Sequence, residues 1–128
     1  MRENKISVII DRPAHDVFEF TINPKNTPRW TDSIVKEEAN EKKVRLGTKY
    51  RNVNKRGVWS SYTVTKLVAD RLFELKQENS TYHVRYSYEK VSEGRTRLTY
   101  FEWVETGDLE EPFQEEVLNR LKECLESR

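Results

Sequence analysis

Hydrophobic and polar positions alternate along most of this chain, and the two places where the period lengthens mark its helices. Residues 5–10 are β-branched, with Ile6, Val8 and Ile10 on one side, which predicts a strand. Asp11 is placed to cap a helix whose first turn holds Pro13. Val17, Phe18 and Thr21 share one helical face, with Asp16 and Glu19 opposite. Pro24 ends this helix, because it lacks a backbone donor and restricts Asn23 before it. Pro28 then starts a second, single-turn helix with Thr27 as its cap, on which Trp30 packs inward as a core plug or pocket wall.

A strand over residues 33–38 and a charged connection over 37–43 come next, and Gly47 to Arg51 opens another strand. Asn54-Lys55-Arg56-Gly57 is a hairpin turn, with the glycine supplying positive φ. Strands follow over 58–68 and 72–76, separated by Ala69-Asp70-Arg71. In residues 82–91, Tyr82, Val84, Tyr86 and Tyr88 alternate with His83, Arg85, Ser87 and Glu89. In 96–104, Leu98, Tyr100, Glu102 and Val104 oppose Arg97 and Thr99. Such alternation leaves one face wet and argues for antiparallel pairing. Over 109–127, Leu109, Phe113, Val117, Leu121 and Leu125 recur at i+4, predicting a long amphipathic helix with Pro112 in its first turn.

At 128 residues the chain is sized for a single domain spanning 1–128, large enough to bury a core without disulfide or metal. A net charge of +1 gives no electrostatic case for nucleic acid or acidic membranes. The charge is uneven: residues 108–128 hold seven acids against three bases, as expected of an acidic helix face over a mildly basic body. The single cysteine, Cys124, rules out an internal disulfide and suits a reducing cytoplasm. No apolar run approaches the ~20 residues of a membrane span, and the N-terminus lacks a signal peptide's apolar centre, so a soluble cytoplasmic protein is expected.

Few residues offer chemistry. His15, His83 and Cys124 have no ligand spacing, so neither a metal nor a cofactor is expected. His15 and His83 are read as solvent-facing, and Cys124 as a structural thiol beside Leu121 and Leu125. There is no nucleophile elbow and no glycine-rich phosphate loop among only four glycines. The inward faces are more telling: Tyr62 shares one with Val64, Tyr86 with Val84, and Tyr100 and Glu102 with Leu98 and Val104. A carboxylate in line with leucine and valine is either a rim residue paired with a base, or a buried acid whose pKa desolvation raises unless a donor compensates, able then to act as acid/base or to anchor a polar ligand head. Trp59, Phe101 and Trp103 fall on the outer face, where rings would suit a dimer contact. Arg85, Arg95 and Arg97 read there as a solvated charge face.

RPAHDVFEF (12–20), NPKNTPRW (23–30), GTKYR (47–51) and GRTRLTYFEW (94–103), followed by the terminal helix, resemble in order the START-like superfamily. This group is also described as polyketide cyclase/dehydrase and lipid-transport or pollen-allergen-like. The resemblance implies an α+β helix-grip fold. A curved antiparallel sheet of six to seven strands wraps a long C-terminal helix, with two short helices between the first two strands. It also implies a cavity between helix and sheet that holds a hydrophobic or amphipathic small molecule, with Trp30, Tyr50, Tyr62, Tyr86, Tyr100 and Glu102 as lining candidates. The chain is short for the family, which argues against a lipid-sized cavity. Two other readings are carried by the same fold. One is a cyclase/dehydrase-type enzyme with Glu102 as acid/base. The other is a co-chaperone-like interaction module, monomeric or homodimeric.

Overall fold

A computed structural model describes residues 2–128. Its elements are β1 (Glu3–Ile10), α1 (Ala14–Ile22), a 3-10 turn (Pro24–Asn26), α2 (Thr27–Trp30), β2 (Ile34–Ala39), β3 (Lys49–Asn54), β4 (Trp59–Val68), β5 (Leu72–Gln77), β6 (Tyr82–Ser92), β7 (Arg95–Val104) and α3 (Glu115–Glu126). All seven strands form one sheet in the order β1-β7-β6-β5-β4-β3-β2, antiparallel at every pairing. Strands β2 to β7 are joined as successive hairpins. The first two strands lie at opposite edges, so α1, the 3-10 turn and α2 must carry the chain across the sheet. Six strand spacings make a flat sheet roughly 29 Å wide. Curling it shortens that crossing and leaves a concave face for helices.

Helix α3 lies in the curl against β1 and α2. Its Leu118, Leu121 and Leu125 are buried, and Val117 and Cys124 are half-buried beside them. Leu109 and Phe113 do not belong to it. The helix expected from residue 109 begins at Glu115, and the preceding segment is irregular. The i+4 stripe misleads because the Phe113 amide donates to Glu102 Oε2 at 2.8 Å instead of entering a helix. The Phe113 ring stacks on Tyr100 at 4.5 Å. Glu115 and Glu116 then fill the first turn of α3, where acids suit the helix dipole.

Both expected helix caps are corrected. The residue before α1 is Pro13, with no side-chain cap, while Asp11 pairs with Arg95 at 2.8 Å. Thr27 is the first residue of α2 rather than its cap, and its hydroxyl donates to Glu37. The Asn54–Gly57 turn forms as expected: Gly57 has φ 80°, and Asn54 Oδ1 accepts from Arg56 and Val58 amides. Ladder irregularities fall at Ile34/Lys36, Val64/Lys66 and Lys90/Ser92, where extra residues sharpen twist.

The outer face differs from expectation at His83. Its side chain is only 14% exposed, because its ring lies flat on Trp103 at 4.7 Å, which in turn stacks on Phe101 at 4.8 Å. Arg85 covers Trp103 and bonds Glu74, itself buried. Trp59 remains 46% exposed beneath the Arg51 guanidinium. No helix among the described residues is long and apolar enough to cross a membrane.

Trp30 joins the short helices to the core. It is 1% exposed, edge-on to Tyr86 and Phe113, and its carbonyl accepts from Arg120 of α3. Trp30→Ala should therefore lower the unfolding free energy by about 3–5 kcal/mol in urea titration. A loss below about 1 kcal/mol would mean that the neighbouring rings collapse into the space.

Candidate functional site

The concave face holds a lattice of rings contributed one per strand. Register places Tyr50 opposite Tyr62, Phe73 opposite Tyr86, and Tyr86 opposite Tyr100. Ring centroids are 5.7 Å apart for Tyr50 and Phe73, 5.6 Å for Phe73 and Tyr86, and 5.3 Å for Tyr86 and Tyr100. Trp30 and Phe113 close the lattice from the helical side. Tyr50 donates its hydroxyl to the Ile22 carbonyl at 2.5 Å, tying the end of α1 to β3. Burial pushes the phenols of Tyr50, Tyr62, Tyr82, Tyr86 and Tyr100 upward, so all remain protonated donors at physiological pH.

Two carboxylates face this interior. Glu102, on β7, is 2% exposed and has no basic partner among the described residues. Its Oε1 accepts from the Tyr82 hydroxyl at 2.7 Å, and its Oε2 from Asn4 Nδ2 at 2.9 Å and the Phe113 amide at 2.8 Å. These neutral donors stand in place of the rim arginine or lysine considered from the sequence. The second acid is Glu37 on β2, which the sequence placed where a strand runs into a charged connection. Thr27 of α2 donates to its Oε1 at 2.6 Å and Asn52 of β3 to its Oε2 at 3.0 Å. No ion pair reaches it among the described residues. Burial raises its pKa, and the two hydrogen bonds offset only part of the rise. Its charge in turn helps to raise the phenols of Tyr50, Tyr62 and Tyr86. The irregularity at Ile34/Lys36 hides this residue from sequence reading, since one extra residue reverses which side chains face inward.

All six residues singled out from the sequence lie in this one inward-facing layer: Trp30, Tyr50, Tyr86, Tyr100 and Glu102 buried, Tyr62 half-buried. None of them lines the large open cleft beside it. That cleft, about 1520 Å³, runs between α1, the 3-10 turn, the β2–β3 connection and the end of α3. Phe18, Phe20, Ile22, Val44 and Leu67 give it apolar walls, and Glu37 is part of its lining. A smaller depression of about 300 Å³ lies at the opposite end, beside Asn4, Ile6 and Phe113.

The remaining candidates are separate from this interior. His15 is exposed, with Nδ1 3.0 Å from Asp70 Oδ1, and that contact raises its pKa. Cys124 is half-buried, its thiol 3.5 Å from the Arg29 carbonyl. No cluster of histidine, cysteine and acidic residues able to hold a metal occurs among the described residues.

A curled antiparallel sheet gripping a C-terminal helix, with short helices bridging its first two strands, is the START-like fold. Residues 1–126 match the family described as polyketide cyclase / dehydrase and lipid transport, and the chain belongs to it. Similar solved structures include a START superfamily protein from Mycobacterium smegmatis (TM-score 0.76, 13% identity, 99% of each chain). A conserved protein of unknown function from Enterococcus faecalis superposes with TM-score 0.72 at 14% identity, over 96% of this chain and 70% of that one. The di-domain ARO/CYC BexL from the BE-7585A biosynthetic pathway does so with TM-score 0.66 at 18% identity. The match covers 81% of this chain but only 36% of BexL. At these identities the likeness is one of fold. No curated protein matches the chain in sequence.

Two predictions follow from the carboxylates. Glu102→Ala leaves the Phe113 amide without an acceptor and takes from the Tyr82 hydroxyl its shorter hydrogen bond, so it should destabilise by about 3 kcal/mol in urea unfolding. Glu37→Gln should become increasingly stabilising relative to wild type as pH rises. A folded-state pKa raised above the unfolded value favours folding at low pH, and that contribution is lost as pH climbs through the raised value. Thermal unfolding from about pH 4 to about pH 8 checks this, and a difference in Tm that is flat across the range would refute it.

Proposed function

We propose that residues 1–128 form one helix-grip domain that binds a hydrophobic or amphipathic small molecule between α3 and the sheet. Trp30, Tyr50, Tyr62, Tyr86, Tyr100 and Glu102 are its walls. The observation that carries this reading is a pair of unsatisfied groups at the end of α2. Trp30 Nε1 and the hydroxyl of neighbouring Thr31 are both buried, and neither has a hydrogen-bond partner among the described residues. Buried polar groups are satisfied in the great majority of cases, and an orphaned donor costs about 1–3 kcal/mol. A ligand oxygen reaching the Trp30 indole would remove that cost. The family's description, which includes lipid transport, and BexL's designation as an ARO/CYC point toward the same class of occupant. Without ligand the rings rest against one another, so binding requires Trp30 or Tyr86 to swing, and the open cleft is the natural route in.

A cyclase/dehydrase-type reaction is the second reading, and Glu37 bears on it. Each Glu37 oxygen holds a single donor, whereas three donors already occupy Glu102. An acid/base role therefore fits Glu37 better than Glu102.

Native mass spectrometry of freshly purified protein tests the binding reading. A co-purified small molecule should appear as added mass that is lost on denaturation. A bare chain mass, together with no rise in Tm across a panel of alkyl alcohols, acids and amines, would sink it.

A further inference from the structure

Glu37 raises a question that its two hydrogen bonds do not answer. A carboxylate has about four acceptor sites, and a charge drawn out of water is ordinarily matched by a counter-charge or a metal; Glu37 is half-buried. Both of its hydrogen-bond partners are neutral, Thr27 from α2 and Asn52 from β3, and no ion pair reaches it among the described residues. The flanking Lys36 turns outward toward Glu38. On the cleft side, the charged lining beyond Glu37 is mildly basic. Arg12, Lys25, Lys36, Lys42, Lys43 and Arg128 stand with Asp16, Glu19, Glu38 and Glu41. The rim gives a cation no long-range attraction, so any preference for one must come from direct contact with Glu37. Glu37 lines the same cleft as Ile22, Val44 and Leu67, so apolar walls and an acid without an ion pair share one space.

We propose that Glu37 is the recognition group of a site for cationic amphipaths, molecules with an ammonium head and an alkyl or aromatic body, reached through the cleft between α1 and β2. This rests on the ligand-binding reading above, but seats the ligand in the cleft beside the ring lattice rather than within it, and adds the class of ligand. The ammonium would take the free lone pairs of Glu37 and supply its missing counter-charge. The hydrocarbon body would lie on Ile22, Val44 and Leu67, because Phe20 is buried with the Arg29 and Arg128 guanidinium groups over its ring. Since Glu37 must be ionised to pair with ammonium, and burial favours its neutral form, affinity should rise with pH until Glu37 is fully ionised and then level off.

The test uses three probes of equal chain length, octylammonium, 1-octanol and octanoate, titrated calorimetrically against the intact protein and against Glu37→Gln and Glu37→Asp. Octylammonium stays protonated below about pH 9. At neutral pH it should bind about tenfold or more tightly than octanol. Glu37→Gln should abolish that margin and the pH dependence while octanol still binds. Glu37→Asp, which keeps the charge, should retain part of both, and circular dichroism confirms that each variant is folded. If octanol or octanoate binds and octylammonium holds no margin, or if Glu37→Gln leaves that margin intact, the cationic assignment fails while the ligand-binding reading stands. If none of the three binds, both fall.

Discussion

A carboxylate enclosed in protein must find hydrogen-bond donors to replace the water it loses, and Glu102 draws its three from three separate parts of the chain. Asn4 comes from the first strand, Tyr82 from the sixth, and the Phe113 amide from the segment leading into α3. The charge therefore fastens the opening edge of the sheet, its centre and the approach to the terminal helix at one point. Asn4 also donates to the Phe113 carbonyl at 2.9 Å, so that segment is held through both its backbone groups. With Phe113 fixed there, its ring settles on Tyr100 and meets Trp30. The direction in which α3 enters the curl follows from this.

The second inward acid is built differently. Glu37 joins α2 to β3 through two neutral donors, yet it faces an open cleft rather than a sealed core. One fold thus holds two interior carboxylates of opposite character. One is saturated and structural; the other has acceptor capacity to spare and a raised affinity for its proton. Their positions reflect the sheet. Glu102 lies on β7, which is paired on both sides, by β1 and by β6. Glu37 lies on the edge strand, where one side belongs to the helices and the cleft.

Much of this was legible in the chain. The period-2 alternation in β6 and β7 placed Tyr86, Tyr100 and Glu102 on the inner face, and they lie there. Pro24 ended α1 as a residue without a donor must, and Trp30 packs inward. The terminal helix was read too long, because Leu109 and Phe113 continue its spacing. What removes them is a hydrogen bond to a residue far away in sequence, which periodicity cannot register. His83 was read as exposed because it alternates outward, and outward it is; Trp103, from the next strand, covers it.

The sequence by itself determined the order of strands and helices, where the turns fall, and that the interior would be built of tyrosines and tryptophan. These follow from local sterics and from the spacing of apolar positions, both properties of neighbours in the chain. Only the tertiary structure decided which acid is saturated and which is left with room. The donors to Glu102 and Glu37 arrive from other strands and helices, and a single irregular residue in β2 sets which way Glu37 points. A side chain's hydrogen-bond partners belong to the space around it, and that space exists only once the sheet has curled.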